Sequence, residues 1–388
     1  MGALPPSYRH GDSGPAVAEI RSKLAVLGLI TDEHEASAPL SASFDDLTDR
    51  AVRAFQQGRG IRVDGIVGAT TYHALDEARW RLGDRILFYV PARLMAGDDV
   101  AALQQRLLDM GFDCGRVDGL FGVETEQSLR EFQRNVGVVA DGTCGPATFK
   151  ALNQLTRTVV GGTPHAMRES EAINRAGPTL AGKLVILDPG HGGSDHGVTG
   201  DVLDEHDLMY DLASRVEGRL TATGSSAFLT RGPDRPTRSA GAVPGETDRA
   251  GFANAAGADL LISLHVEAHA NPVASGAATY FYGNDRYGHH SAMGLRFASL
   301  VQREICARTD LVDLRSHPMN WDLLRRTRMP AVRIETGYLT NPGDAARLAD
   351  PAFRDVLAES VVAAVQRLYL PPDQDAETGF LRIPRLRT

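Results

Sequence analysis

Apolar positions recur in the first half of the chain with one repeated pattern. Val17, Ile20, Leu24 and Gly28 return as Val100, Leu103, Leu107 and Gly111, an offset of 83 residues. Phe55-Gln56, Val63-Asp64-Gly65 and Gly68-Ala69-Thr70 return as Phe132-Gln133, Ala140-Asp141-Gly142 and Gly145-Pro146-Ala147, an offset of 77. The first copy therefore carries six extra residues after Gly28, in the polar stretch Thr31 to Leu40, which reads as a loop. Apolar spacings of three and four place one buried face on the first helix of each copy. The Gly-Asp pairs before it (Gly11-Asp12 and Gly97-Asp98) supply a turn and a cap. A second helix ends near the Phe-Gln pair, and an Asp-Gly turn leads to a short third helix starting near Gly68 or Gly145. Each copy reads as a small three-helix bundle, over residues 9–80 and 93–155, near the lower size limit for independent folding. The amphipathic stretch between them, from Arg79-Trp80 to Tyr89, is expected to pack the repeats together.

After Val160-Gly161-Gly162-Thr163-Pro164 the pattern changes, and residues 156–182 read as a linker. From 183 to 370 short apolar runs alternate with helical patterns, which predicts an α/β domain with a central, mostly parallel sheet flanked by helices. Leu184 to Leu187 is too short for a helix and is stopped by Asp188-Pro189-Gly190, so it reads as a buried strand with a sharp exit. Leu260 to Leu264 and Pro330 to Ile334 read the same way. Leu208, Leu212, Val216 and Leu220 mark one helix face, with Asp204 as its N-cap and Glu205 in its first turn. Residues 371–388 are Pro-rich and then basic, and read as a mobile tail.

The three strands each end at a residue able to bind metal or carry a proton: His191, His265 and Glu335. Glu205 starts a helix at the same sheet edge. In open α/β sheets that edge is where ligands bind. Two imidazoles with carboxylates suit zinc, held by three protein ligands with one position open. No His-Glu-x-x-His occurs, which excludes the common zinc-protease helix. His196, His206 and His269 lie near in sequence, and His196 is the best candidate to buttress a ligand.

Composition narrows the field further. Hydrophobic content of 43% and charged content of 23% are ordinary for a globular protein. A net charge of −8 argues against nucleic acid or an anionic membrane as the main partner. No apolar stretch approaches the ~20 residues of a membrane span. Met1 to Ser7 lacks the basic start and apolar core of a secretory signal, so the expectation is the cytoplasm, or the cell wall if another route exports the chain. Cys306 reads as a small buried hydrophobe. Cys114 and Cys144 fall in one repeat and read as two reduced thiols able to pair only in an oxidising compartment.

The repeats, through Phe-Gln, Asp-Gly and the following Gly, resemble the peptidoglycan-binding domain type 1 that accompanies many wall hydrolases. The first copy departs at Phe44-Asp45-Asp46, where the second has Phe121-Gly122-Val123 after Asp118-Gly119. In the second half, Asp188-Pro189-Gly190-His191-Gly192-Gly193, Glu205-His206-Asp207, Ser263-Leu264-His265 and Glu335-Thr336-Gly337-Tyr338-Leu339-Thr340-Asn341 resemble the type 3 N-acetylmuramoyl-L-alanine amidases. The resemblance implies that His191, Glu205 and His265 bind zinc (Zn2+) and that Glu335 is the catalytic general base. It implies hydrolysis of the amide joining N-acetylmuramic acid to L-alanine, with Arg249 or Arg325 as candidate oxyanion partners. The family's usual Asn after the second histidine is replaced by Val266-Glu267-Ala268-His269. The architecture is also similar to actinobacterial CwlM-like proteins, some of which are thought to act in regulation inside the cell. The implied partners are peptidoglycan, muropeptides or lipid-linked precursors. The alternative is a cytoplasmic regulator that binds such precursors, or a cell-wall biosynthesis protein, with little or no turnover.

Overall fold

The computed structural model describes residues 7–30, 43–154, 164–200, 204–233, 244–284 and 289–370. The loop expected at 31–40 and the tail at 371–388 lie outside them. Two compact units divide the chain, the first helical and the second α/β.

In the first unit, α1 (Pro15–Val26), α2 (Asp46–Arg59) and α3 (Ala69–Ala78) enclose one core, built on Val17, Ile20, Leu24, Phe44, Val52, Phe55 and Leu75. Helices α4 (Asp98–Asp109), α5 (Val123–Val136) and α6 (Pro146–Gln154) enclose a second, built on Val100, Leu103, Leu107, Phe121, Leu129, Phe132 and Leu152. Leu87, from the connecting stretch, is fully buried in the second core, and its backbone pairs with that of Cys144. An ion pair with two short contacts, Arg59 to Asp98 at 2.6 and 2.9 Å, joins the C-terminus of α2 to the start of α4. Cys114 and Cys144 are buried free thiols, and burial pushes the Cys144 thiol up to about 12. Cys306 is only partly buried.

The Phe-Gln and Asp-Gly motifs recur because a buried glutamine brackets the turn. Gln56 Nε2 donates to Asp64 Oδ1, Ile66 O and Thr71 Oγ1, while its Oε1 accepts from the Asp64 and Gly65 amides. Gln133 repeats the bracket with Asp141, Thr143, Thr148 and the Gly142 amide. A third copy joins Gln104 to Asp118, Leu120, Thr125 and the Gly119 amide. Arg21 stands where Gln104 stands in the second repeat, and its Nη1 donates instead to Ser43 O, Asp45 Oδ1 and Thr48 Oγ1. The first repeat's departure at Phe44-Asp45 is thus a change of bracket, with a cation for an amide and a carboxylate for a turn backbone.

The second unit begins at Ala166, within α7 (Pro164–Arg175), a helix inside the stretch that reads as linker. Among its inward residues are Ile173 and Glu169, four positions apart, too sparse an apolar signal to mark a helix. Glu169 accepts from Ser291 Oγ and the Met293 amide. There follow β1 (Leu184–Pro189), α8 (Glu205–Ala222), β2 (Ser226–Leu229), α9 (Glu246–Ala256), β3 (Leu260–Glu267), β4 (Ala277–Asn284) and β5 (His289–His290). The unit continues with α10 (Ala292–Arg308), β6 (Asp313–Met319), α11 (Asp322–Arg326), β7 (Ala331–Tyr338), α12 (Pro342–Ala349) and α13 (Pro351–Tyr369).

The sheet runs β2-β1-β3-β7-β4-β5, with β6 also paired to β4. It is mixed. Pairs β1–β2, β1–β3, β3–β7 and β4–β6 are parallel, and β4–β7 is antiparallel. Alternate residues of one strand enter different cores. Val185, Leu187, Leu260, Ile262, Leu264, Val332 and Ile334 pack with α8, α10 and α13, whereas Ile186, Leu261 and Ala331 pack with α9 and α11. Covering both faces is why these strands read as unbroken apolar runs. Among the described residues no helix is long and apolar enough to cross a membrane.

Candidate active site

Strand β1 runs on through Asp188 and Pro189 before the chain turns. Asp188 is fully buried and accepts from Arg249 Nη1 at 2.7 Å, Thr230 Oγ1 at 2.6 Å and Ser263 Oγ at 2.7 Å. Burial opposes its charge, yet the Arg249 guanidinium and these donors hold its carboxyl below the usual range. The next residues form a tight loop. Gly190 has no room for a side chain, because a Cβ there would strike the His265 ring. His191 follows at φ +60°, the left-handed region that side-chain-bearing residues seldom occupy. Two arginines hold the loop in place. Arg249 Nη2 donates to His191 O, while Arg231 reaches Pro189 O, Gly190 O and His206 O. Arg249 is therefore committed to the loop and to Asp188 rather than to the oxyanion role expected of it, and Arg325 is buried on α11.

Three of the expected site residues converge. Donor atoms of His191, Glu205 and His265 all lie within 4.8 Å of one another. His191 Nε2 is 3.2 Å from Glu205 Oε2, and His265 Nδ1 is 2.9 Å from Glu205 Oε1. The other nitrogen of His191, Nδ1, lies 2.8 Å from Asp195 Oδ2, which orients the ring and presents Nε2 to Glu205. Glu205 is 1% exposed and also accepts the Val198 and Val266 amides. Burial alone would raise its pKa. The two imidazoles outweigh that and hold the carboxyl far below its usual value. His265 is driven the other way: burial, reinforced by the Arg333 cation, pushes it down to about 4, so its ring is neutral at physiological pH.

Glu335 joins them through strand register. It lies directly beside His265 on the neighbouring parallel strand, inside β7 rather than at its end. Its Oε1 accepts from Arg333 Nε at 2.9 Å, and its Oε2 is buried without a partner. Burial pushes the carboxyl up to about 7 against the pull of Arg333, and the Glu267 and Glu205 charges add to the rise. Arg333 also lies over the Trp321 ring at 4.5 Å and reaches Glu246 at 3.4 Å. Neither Arg333 nor Asp195 stood out as a site residue in the sequence. Arg333 had a signal nonetheless, because residues i and i+2 of a strand share a face. Asp204 sits at the N-cap position, but its carboxylate pairs with His196 Nδ1 at 2.8 Å instead of capping the helix.

Comparison with known proteins shows where this constellation belongs. The N-acetylmuramoyl-L-alanine amidase family matches residues 185–367, and a peptidoglycan-binding-domain family matches 13–75 and 96–152. The N-acetylmuramoyl-L-alanine amidase CwlM of Mycobacterium tuberculosis is 47% identical over 98% of this chain and 94% of its own length. The chain belongs to the N-acetylmuramoyl-L-alanine amidase family. A germination-specific member from Bacillus subtilis is 29% identical over 49% of this chain and 81% of that protein. A crystal structure of a member from Clostridium difficile is 29% identical, covers 47% of this chain and 95% of that one, and has a TM-score of 0.43. The family's match begins at the second residue of β1 and ends within α13, so it spans all four residues of the site.

Proposed function

We propose that this chain is a zinc-dependent hydrolase of the amide between N-acetylmuramic acid and L-alanine in peptidoglycan or its fragments. The observation that carries the reading is the meeting of His191, Glu205 and His265 within 4.8 Å, with the unpartnered Oε2 of Glu335 on the adjacent strand. Two imidazoles and one carboxylate are a donor set that zinc accepts while leaving a position open. The fit extends to protonation, since a ligand must offer a lone pair. His265 is neutral, and Asp195 engages Nδ1 of His191 so that Nε2 faces Glu205. Burial works to lower the His191 pKa but the two carboxylates raise it, so the ring gives up a proton when it takes a metal. Bound there, zinc supplies Lewis-acid polarisation of an amide carbonyl and acidifies a water molecule.

The chain's own contribution is proton transfer and rigidity. Glu335 takes a proton from the attacking water at Oε2 and delivers it to the departing amine of L-alanine. The hydroxyl adds to the lactyl carbonyl carbon as the C–N bond breaks. A carboxyl poised near 7 is matched to both halves of that task at neutral pH. Arg333 holds the other oxygen, so Oε2 is the one presented. The two N-terminal repeats would keep the hydrolytic domain on polymer and raise the local substrate concentration.

The test is turnover on purified peptidoglycan, read by mass spectrometry as release of peptides that begin with L-alanine. Glu335→Gln should abolish release while zinc content, measured by mass spectrometry of the metal, stays at the wild-type level. A zinc-loaded wild type that releases no such peptide from any muropeptide would defeat the hydrolytic reading and favour binding without turnover.

A further inference from the structure

A second group of metal-competent side chains lies along the same two segments. His196, Asp204 and His206 offer donor atoms that all lie within 4.8 Å of one another. His196 Nδ1 is 2.8 Å from Asp204 Oδ2, and the His196 and His206 rings meet edge to face at 4.5 Å. Asp207 Oδ1 stands 3.3 Å from His206 Nε2. The backbone pre-forms the cluster, since the amide of His206 donates to His196 O and that of Glu205 to Val198 O. Donors for the two clusters alternate along the chain: His191 and Glu205 serve the first, while His196, Asp204 and His206 serve the second.

An ordinary surface ion pair accounts for His196 and Asp204; His206 adds a third ring, whose Nδ1 lies 3.3 Å from His196 O and whose Nε2 faces Asp207. His206 is buried, and its imidazole is delivered to that pair by the first turn of α8. Asp204, at the N-cap position, makes no side-chain cap; its carboxylate pairs with the ring of His196 and accepts the Gly200 amide. A cation at a helix N-terminus meets the positive end of the helix dipole. Here Asp204, Glu205 and Asp207 lie in or beside that first turn and offset it.

We propose that His196, Asp204 and His206 form a second divalent-metal site, of the zinc class, that clasps the glycine-rich loop after β1 to the start of α8. Two nitrogens and one oxygen suit zinc ahead of magnesium or calcium, which take oxygen ligands. The half-exposed ring of His196 leaves the site open to solvent, so water completes the coordination. The clasp is a positioning device. It holds His196, and therefore its chain neighbour Asp195, which orients His191.

The experiment is a metal count on the full chain, stripped with chelator, reloaded with zinc and desalted. The expected content is about two equivalents per chain in the wild type and about one in each of His196→Ala and Asp204→Asn, with unchanged circular dichroism. His265→Ala should likewise keep one. Cobalt(II) gives an independent readout, because the visible absorption of the second equivalent should vanish in His196→Ala. One equivalent in the wild type that disappears in His265→Ala, or two retained in both His196→Ala and Asp204→Asn, overturns the second site. Stoichiometry rather than turnover decides the matter. Metal lost from His196→Ala but unaffected by His265→Ala would sink the hydrolase reading and leave this one standing.

Discussion

Arg333 Nε donates to Glu335 Oε1 across 2.9 Å, two residues apart on one face of β7, and leaves Glu335 Oε2 buried with no partner. One oxygen is anchored and the other is left free of any hydrogen-bond partner. The ion pair also restrains a pKa that burial alone would push higher.

The pH dependence of kcat/KM should therefore carry an acidic limb near 7 set by Glu335. The reactive form is the carboxylate, so activity rises with pH through that value. Arg333→Met removes a cation that favours the carboxylate and should move the limb to higher pH, while Arg333→Lys should move it less. A limb unmoved by Arg333→Met would show that another group titrates.

Glu335→Gln keeps the shape of the side chain but cannot accept the proton. The expected loss in kcat is about 100- to 10,000-fold, with little change in KM. Steady-state kinetics on a defined muropeptide measures it.

Gly190→Ala tests how closely the loop after β1 approaches the site. The added methyl meets the His265 ring, which must turn away from Glu205. Zinc affinity should fall by about tenfold or more in a chelator-competition titration, with secondary structure retained. The same substitution at Gly218, where a Cβ meets nothing within 4 Å, should leave affinity unchanged.

Asp188→Asn breaks the buried pair with Arg249 and leaves that cation uncompensated. The second unit should lose about 3–5 kcal/mol of stability. The chain has two tryptophans, Trp80 in the first unit and Trp321 in the second. In a Trp80→Phe background, urea unfolding followed by emission reports the second unit alone.

Gln133→Ala removes the bracket around the Asp141-Gly142 turn, leaving buried donors and acceptors unmet. A cost of about 2–3 kcal/mol is expected in the second repeat. Hydrogen exchange at the Gly142 amide, which donates to Gln133 Oε1, should accelerate accordingly.

Much of this molecule is written in local chemistry. The duplicated helical pattern, the Gln and Asp-Gly brackets, and the apolar runs of β1, β3 and β7 each depend on residues within a few turns of one another. So does the placement of His191 just past β1 and of Glu205 at the start of α8, whereas β3 and β7 run on past His265 and Glu335. Periodicity and turn residues are enough to read them, because helix faces, strand faces and left-handed turns impose their demands residue by residue. What remained for the tertiary structure were relations between distant segments. The strand order brings His265 beside Glu335, Arg249 reaches back to Asp188 and the His191 carbonyl, and the loop after β1 folds onto α8 so that His191 meets Glu205. Burial then sets the charges, driving His265 down and Glu335 up while two imidazoles keep Glu205 ionised. A chain can specify which side chains are available. Only packing decides which of them lose water together, and desolvation is what turns carboxylates and imidazoles of ordinary pKa into groups with different tasks.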